Sequence, residues 1–507
     1  MASQTLGVAP LDEHNLALLE QVHPPEWTNP EPVGRYNLVV VGAGTAGLVS
    51  AVGAAGLGAK VAIIERDLMG GDCLNFGCVP SKAIVATARA NASLRAAGRF
   101  GIEVPVGARV NFAAAAARMR QLRASIARND SASRLRNLGV DVYFGAARFV
   151  ATDAVEVNGK RLTFRRAAIA TGARAATPPI PGLLETGFLT NETVFSMTEL
   201  PARIAIIGGG PIGCELAQAF SRLGAGVTLL EAAPHVLVRE DRDAAIAVEE
   251  ALRRDGVAIA DNCKILHVEE RGAEKILRIE SDDLQSEIAV DEIVAGTGRV
   301  PAVADLGLEA AGVEYDRING IYVDDYLRTG NPRIYAAGDC ASTLKFTHLS
   351  DAHARILLRN ALFHGRQRVS ALTIPWCTYT DPEVAHVGLS EEDAARRGVS
   401  ITTFAQPMAE VDRAVLDGLT EGFVKVHVRT GTSQIVGATI VAAHAGEMIS
   451  ELTLAMTAGI GLDKLSGVIH PYPTASDAIR SVVNQYMRTR LTPFAAKLFK
   501  RWFAWTR

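Results

Sequence analysis

The 507-residue chain has little of several things, and each shortage removes a class of protein. Net charge is almost absent. Its 52 basic and 55 acidic side chains leave −3, so no global field exists to hold a nucleic-acid backbone, and no nucleic-acid partner is expected. Cysteine is scarce: there are six, and Cys214, Cys263, Cys340 and Cys377 stand alone, too scattered for a secreted disulfide scaffold. Aromatic residues make up 6%, yet a hydrophobic content of 48% rules out wholesale disorder. At about 150 residues per domain the length suggests three or four domains. No Lys or Arg precedes Arg35, so a signal peptide is not expected and a cytoplasmic, thiol-reducing setting is. Long apolar runs are also missing, with one exception. Leu38–Ala59 carries no charge over 22 residues, long enough to span a bilayer. Gly42, Gly44, Gly47, Gly53, Gly56 and Gly58 interrupt it, which suits a strand, a tight turn and a closely packed helix better than a lipid-facing helix.

What is present is a repeat. Tyr36–Val41 reads as a buried strand, Gly42-Ala43-Gly44-Thr45-Ala46-Gly47 as a turn into an Ala-rich helix, and Val61–Ile64 as a second strand ending in Glu65. Ile204–Ile207, Gly208-Gly209-Gly210-Pro211-Ile212-Gly213 and Val227–Leu230 with Glu231 repeat this order 166 residues later, and each acid follows its first glycine by 23 residues. In such a motif the first glycine makes the turn, the second admits a pyrophosphate to the backbone, and the third packs helix on strand. An acid at the strand end can accept hydrogen bonds from a ribose. Two dinucleotide sites are therefore expected.

Cys73 and Cys78 are the only grouped cysteines, in Gly70-Gly71-Asp72-Cys73-Leu74-Asn75-Phe76-Gly77-Cys78-Val79-Pro80-Ser81-Lys82. Two thiols five apart at a helix start can close a small disulfide, and the helix dipole with a nearby cation, Lys82, lowers a thiolate pKa. Two buried bystander thiols are the plain alternative. Structural zinc would need two more ligands, and no second cysteine pair exists.

Over about residues 36–487 the sequence resembles the class I pyridine nucleotide–disulfide oxidoreductases, which include dihydrolipoamide dehydrogenase, glutathione reductase and mercuric reductase. The resemblance rests on both glycine motifs, CLNFGCVPSK, Ala170-Thr171-Gly172, Gly296-Thr297-Gly298-Arg299, Ala337-Gly338-Asp339 and His470-Pro471-Tyr472-Pro473-Thr474. It implies an α/β fold with two Rossmann-type domains, for FAD and NAD(P), and an α+β C-terminal dimerisation domain in a homodimer. FAD would then be held by Gly42, Gly44, Gly47, Glu65, Gly71, Lys82, Ala146, Thr171, Gly172 and Asp339, and NAD(P) by Gly208, Gly210, Gly213, Glu231 and Gly298. Cys73 would be the thiol that meets substrate, Cys78 the one against the flavin, and Lys82 with Glu215 the pair beside it. The boundaries this implies are an N-terminal extension over 1–34, an FAD domain over 35–197, an NAD(P) domain over 198–318, a return to the first domain over 319–366, a dimerisation domain over 367–487 and a tail over 488–507.

Two departures bear on the substrate. Disulfide reductases of this family carry His-x-His-Pro-Thr followed by Glu. Here Tyr472 stands in place of the second, acid/base His and Asp477 in place of the Glu that orients it, with His470 two residues earlier as the other candidate base. A phenol with an ordinary pKa near 10 is a poor thiol base at neutral pH. Mercuric reductase is similar at this spot, and its soft-metal substrate is held by thiolates, here Cys73 and Cys78. Yet no cysteine follows Cys377, so that branch's C-terminal cysteine pair is missing.

The expected function is therefore NAD(P)H oxidation through FAD and the Cys73–Cys78 dithiol to a thiol-reactive acceptor, of mercuric-reductase type. The candidate acceptors are a small molecule, a metal–thiol adduct and a protein disulfide. Alternatives are a dihydrolipoamide dehydrogenase or quinone reductase activity and a non-enzymatic redox-sensing flavoprotein scaffold. NADH is expected over NADPH, because Glu231 would face a 2′-phosphate. Finally, residues 488–507 hold six basic residues and no acid in an amphipathic pattern. Three readings are open for this tail: packing on the enzyme's own dimer, a protein partner, or peripheral contact with the inner membrane face.

Overall fold

The computed structural model describes residues 6–105, 107–281 and 284–507, which fall into two compact units. One runs through Ala232 and resumes over Gly256–Ala371; the other joins Ala233–Asp255 to Leu372–Arg507.

In the first unit the charge-free run divides at its glycines. Strand Arg35–Val41 is buried from Leu38 on, and the chain turns at Gly42 into helix Thr45–Gly56. No helix among the described residues is long and apolar enough to cross a membrane. The strand lies inside a seven-stranded sheet, parallel to Val61–Glu65 on one side and Lys160–Ile169 on the other, with Val40 opposite both Ile63 and Ala168. Val140–Phe144 extends one flank and Ile334–Ala336 joins the other, both in parallel. Leu38–Val41 and Val61–Ile64 read as continuous apolar runs because both faces of a parallel sheet are covered. The second glycine fold is a four-stranded parallel sheet in the order Ala258–Ala260, Gly226–Leu230, Arg203–Ile207, Glu292–Ala295. A three-stranded antiparallel sheet over Lys264–Arg271, Glu274–Ser281 and Leu284–Val290 precedes its last strand.

The N-terminal extension contains a short helix, Glu13–Val22, capped by Asp12, which accepts from the Asn15 N–H at 2.9 Å. It docks through a buried polar chain. Arg120 bonds Asp12 at 2.6 Å, and Arg123 bonds both Asn15 Oδ1 at 2.6 Å and the carbonyl of Asn75 at 2.7 Å.

The second unit has the expected α+β form. Its five-stranded antiparallel sheet runs Pro375–Thr378, Glu383–Gly388, Ile435–Ala442, Phe423–Arg429, Ile401–Pro407. Helices Ala445–Thr457 and Asp477–Thr489 bury Leu452, Ile479 and Val482 against Val426 and Ile440. Residues 233–255, which the resemblance places inside 198–318, group with this unit, where the buried Lys425 ammonium lies 2.9 Å from Asp241 and 2.8 Å from Asp243. Unpaired, such a charge would cost several kcal/mol, on the order of the penalty for any buried ion.

Candidate active site

The two glycine turns share one construction. Gly42 and Gly208 have φ of +100° and +104°, a region that favours glycine. A Cβ on Gly47 would lie 1.9 Å from the Gly42 carbonyl oxygen, and one on Gly213 would lie 1.9 Å from that of Gly208, so helix meets strand at backbone distance. Helices Thr45–Gly56 and Pro211–Leu223 start with neither a capping side chain nor an acid in the first turn, which leaves their amide N–H groups to an anion. Ala170-Thr171-Gly172 closes under the first turn and Gly296 under the second; Cβ atoms on Gly42 and Gly208 would meet Ala170 O at 2.3 Å and Gly296 O at 2.8 Å. Gly71 approaches Gly44 so closely that its Cβ would lie 2.6 Å from the Gly44 Cα, while a Cβ on Gly210 would touch nothing. Ala146 is exposed just beyond strand Val140–Phe144.

Glu65 and Glu231 do something their spacing did not suggest. Glu65 accepts from the N–H of Ala43 at 2.7 Å and of Asp67 at 2.8 Å, and Glu231 accepts from the N–H of Gly209 at 2.5 Å. Each acid thus holds the second residue of its own glycine turn. Burial raises the Glu65 carboxyl pKa against these donors. With donors fixed and the approach free of Cβ atoms, both cradles fit the diphosphate of a dinucleotide.

The redox segment follows directly from the first cradle. Gly70 and Gly71, both at positive φ, lead into the short helix Gly71–Asn75 that carries Cys73, and Gly77 precedes helix Cys78–Ala96. Cys78 is therefore the first residue of a 19-residue helix, where the dipole favours a thiolate. Both thiols are free, and Thr347 Oγ1 lies 3.4 Å from Cys78 Sγ. A hydrogen bond from Cys73, aided by Thr347 and the Lys82 charge, pulls the Cys78 thiol below its ordinary value despite burial. The same bond and burial push Cys73 up. One turn on, Lys82 Nζ donates to the buried Glu215 Oε2 at 2.6 Å, joining the redox helix to the helix of the second glycine fold.

Arg299 is a site residue that the motif reading left out. It lies 2.9 Å from Asp72, next to Cys73, and 3.5 Å from Asp339, and it donates to the Ala173 carbonyl at 2.9 Å. Burial raises the Asp339 carboxyl pKa, with Arg299 opposing. The signal available was an arginine ending a Gly-Thr-Gly motif. Gly298 shares this place: strand Arg299–Pro301 pairs with Ala173–Ala175, and the Gly298 carbonyl accepts from the Ala176 N–H at 3.0 Å. It thus stands opposite Ala176, at the other end of this pairing from Gly172, whose carbonyl accepts from the Ala302 N–H at 3.0 Å, and Gly296 takes the place under Gly208. His353, behind Gly338, is buried and neutral, its pKa pulled down to about 4 by burial.

In the second unit the three expected acid/base residues have separate partners. His470 Nε2 bonds Glu451 at 2.9 Å, the exposed Tyr472 hydroxyl donates to Asp412 at 2.7 Å, and Asp477 is paired with Arg480 at 2.6 and 2.8 Å. The carboxylate on Tyr472 is therefore Asp412, and it raises the phenol pKa further. Asp477 pairs with Arg480, and the Tyr472 hydroxyl goes to Asp412 instead.

Two dinucleotide cradles feeding one dithiol define a class, and the chain belongs to the pyridine nucleotide–disulphide oxidoreductases: residues 36–354 match that family and 374–483 its dimerisation domain. Enzymes of this family use FAD and NAD(P)H, and the second match supports a homodimer. The chain is 32% identical over 447 residues to a mercuric reductase of Staphylococcus aureus, covering 88% of this chain and 82% of that one. It is 33% identical to a dihydrolipoyl dehydrogenase of Thermus scotoductus, covering 88% and 96%. Among solved structures, the HOCl-induced flavoprotein disulfide reductase RclA of Escherichia coli is 30% identical, with a TM-score of 0.79 and coverage of 89% and 99%.

Proposed function

We propose that the enzyme oxidises NADH and delivers the electron pair through Cys73–Cys78 to Hg(II) or a related soft metal presented as a thiol adduct. FAD, when bound, supplies the relay between hydride and disulfide. The chain's own residues do the rest. The electron pair breaks the Cys73–Cys78 bond; Cys78 keeps the thiolate under the helix dipole, Lys82 and Thr347, and Cys73 takes the proton. Glu215 fixes the Lys82 ammonium, and Arg299 holds Asp72 beside Cys73. A metal exchanged onto the two sulfurs displaces their proton and its former thiolates, and it is reduced by the electron pair those sulfurs give up as the Cys73–Cys78 bond re-forms.

The observation that carries this reading is the acid/base position. Tyr472 is bonded to a carboxylate that makes its phenol a still weaker acid, and His470 is engaged by Glu451. Reduction of a disulfide must protonate a leaving thiolate, whereas ligand exchange at a soft metal need not. The near-equal identity to a dihydrolipoyl dehydrogenase keeps lipoamide as the second reading. Steady-state kinetics with Hg(II)–thiol adducts, dihydrolipoamide with NAD, glutathione disulfide and quinones separates them. Disulfide turnover is expected to be slow near neutral pH, and Tyr472→His to raise it by up to about 10²-fold, within the range of a well-placed acid/base. Lipoamide reduction by the parent at a rate matching its best acceptor would overturn the proposal.

A further inference from the structure

The last helix, Pro493–Trp505, has no buried residue. Thr492 caps it, accepting from the Ala495 N–H at 3.2 Å, and Pro493 occupies its first turn, so it is a distinct helix with its own start. The preceding helix, Asp477–Thr489, spends its apolar face on the core through Ile479, Val482, Val483 and Tyr486. The last helix leaves its apolar face outside, with exposure from 51% at Phe499 to 78% at Trp505. At about 100° per residue, Phe494, Leu498, Phe499, Trp502, Phe503 and Trp505 fall on one half of the helix, and Lys497, Lys500 and Arg501 on the other.

We propose that this helix binds the surface of an anionic lipid bilayer, lying in the plane of the headgroups. Charge decides the occupant. Residues 488–507 hold six basic residues and no acid, whereas the rest of the chain has 46 basic against 55 acidic. The body is thus repelled by an anionic membrane and the tail attracted, which confines contact to this helix. Thirteen residues span only about 20 Å, too short to cross the hydrocarbon core. Two tryptophans and three phenylalanines on the apolar half are side chains that settle at the boundary of headgroups and acyl chains, with lysine and arginine stems reaching back to the phosphates. Trp502 and Trp505 sit with ring centroids 5.6 Å apart, a ready-made pair for that layer.

The test is co-sedimentation of the FAD-loaded full chain with phosphatidylcholine vesicles, with and without about one third phosphatidylglycerol, at low salt. At least about tenfold more protein is expected on the anionic vesicles, with a blue shift of tryptophan emission and reversal by added salt. Lys497→Glu with Lys500→Glu should abolish the preference for anionic lipid. Trp502→Glu with Phe503→Glu should abolish binding to both, while either pair keeps bound FAD and NADH oxidation with a soluble acceptor. Recovery of the full chain in the supernatant with every vesicle would overturn the proposal. So would a chain ending at Thr489 that sediments as a monomer where the full chain is a dimer, because the apolar face would then belong to a second copy.

Discussion

From Gly42 to Glu65 and from Gly208 to Glu231 the same parts recur: a left-handed glycine at the turn, a third glycine against the first one's carbonyl, and an acid bonded to the second residue of the turn. After the acids the two regions diverge. The first runs through Gly70 and Gly71 straight into the helices that carry Cys73 and Cys78, with Gly71 packed on Gly44. The second runs into 233–255, whose Asp241 and Asp243 are committed to Lys425 of the C-terminal unit. What recurs is dictated by backbone geometry around a diphosphate. What differs is where each turn leads: one continues into the helices of the dithiol, the other into a segment paired with the C-terminal unit.

The hardest way to break that comparison is to fill each cradle. Gly47→Ala should yield protein without FAD and without activity, because a Cβ 1.9 Å from a carbonyl oxygen forces the helix off the strand. Gly213→Ala meets the same 1.9 Å obstacle but should keep its flavin and lose NADH oxidation. Flavin absorbance of the purified variants checks this, and loss of FAD from both would mean the cradles are not independent.

A second test separates the two sulfurs. Cys73→Ser should abolish acceptor reduction while FAD stays bound. Its Cys78 thiolate should still give a long-wavelength charge-transfer band to the flavin, and Cys78→Ser should show none. Because Cys78 titrates below the ordinary thiol range, the band of the reduced parent should persist at neutral pH and disappear as pH falls through that lowered value. Thr347→Val removes one donor to the thiolate, so its band should fade at higher pH than the parent's. An unchanged titration would remove Thr347 from the site.

A smaller effect is expected at the second acid. NADH should be preferred to NADPH by about ten- to a hundredfold, roughly 1–3 kcal/mol of like-charge repulsion between Glu231 and a 2′-phosphate. Arg242, close by in sequence, is paired with Glu249 at 2.7 Å. Glu231→Gln keeps an oxygen for the Gly209 N–H while removing the charge, so it should narrow the preference without releasing the turn. Equal kcat/KM for the two cofactors in the parent would refute this.

The repeat was legible because glycine spacing and apolar strands are local signals, and the same holds for the CxxxxC helix start. The missing parts are pairings across long stretches of chain. Arg299 reaches Asp72 and Asp339, Thr347 reaches Cys78, and residues 233–255 follow Lys425 rather than their sequence neighbours. No periodicity announces which carboxylate a guanidinium will find. Tyr472 shows the limit most plainly, since its change from His was visible and its carboxylate partner, Asp412, lies 60 residues away. The ribose reading of Glu65 missed its bond to Ala43 because an acid at a strand end has the same spacing whether it serves a ligand or its own turn.

The smallest expected effect lies in the N-terminal extension, which precedes the first fold and has no counterpart in the second. Asn15 is fully buried; it accepts from Arg123 at 2.6 Å and donates to the Pro10 carbonyl at 2.7 Å. Arg123 in turn holds the Asn75 carbonyl, two residues after Cys73. In Asn15→Ala the guanidinium loses one acceptor in a place water does not reach, a cost of about 1–3 kcal/mol. That should lower the melting temperature of the FAD-loaded enzyme by roughly 2–8 °C for a unit of this size. Arg123 keeps its bond to Asn75, so the charge-transfer band and its pH midpoint should stay where the parent has them. If Asn15→Ala instead moves that midpoint, the extension sets the state of the dithiol rather than bracing the fold, and the first cradle owes its chemistry partly to a segment outside the repeat.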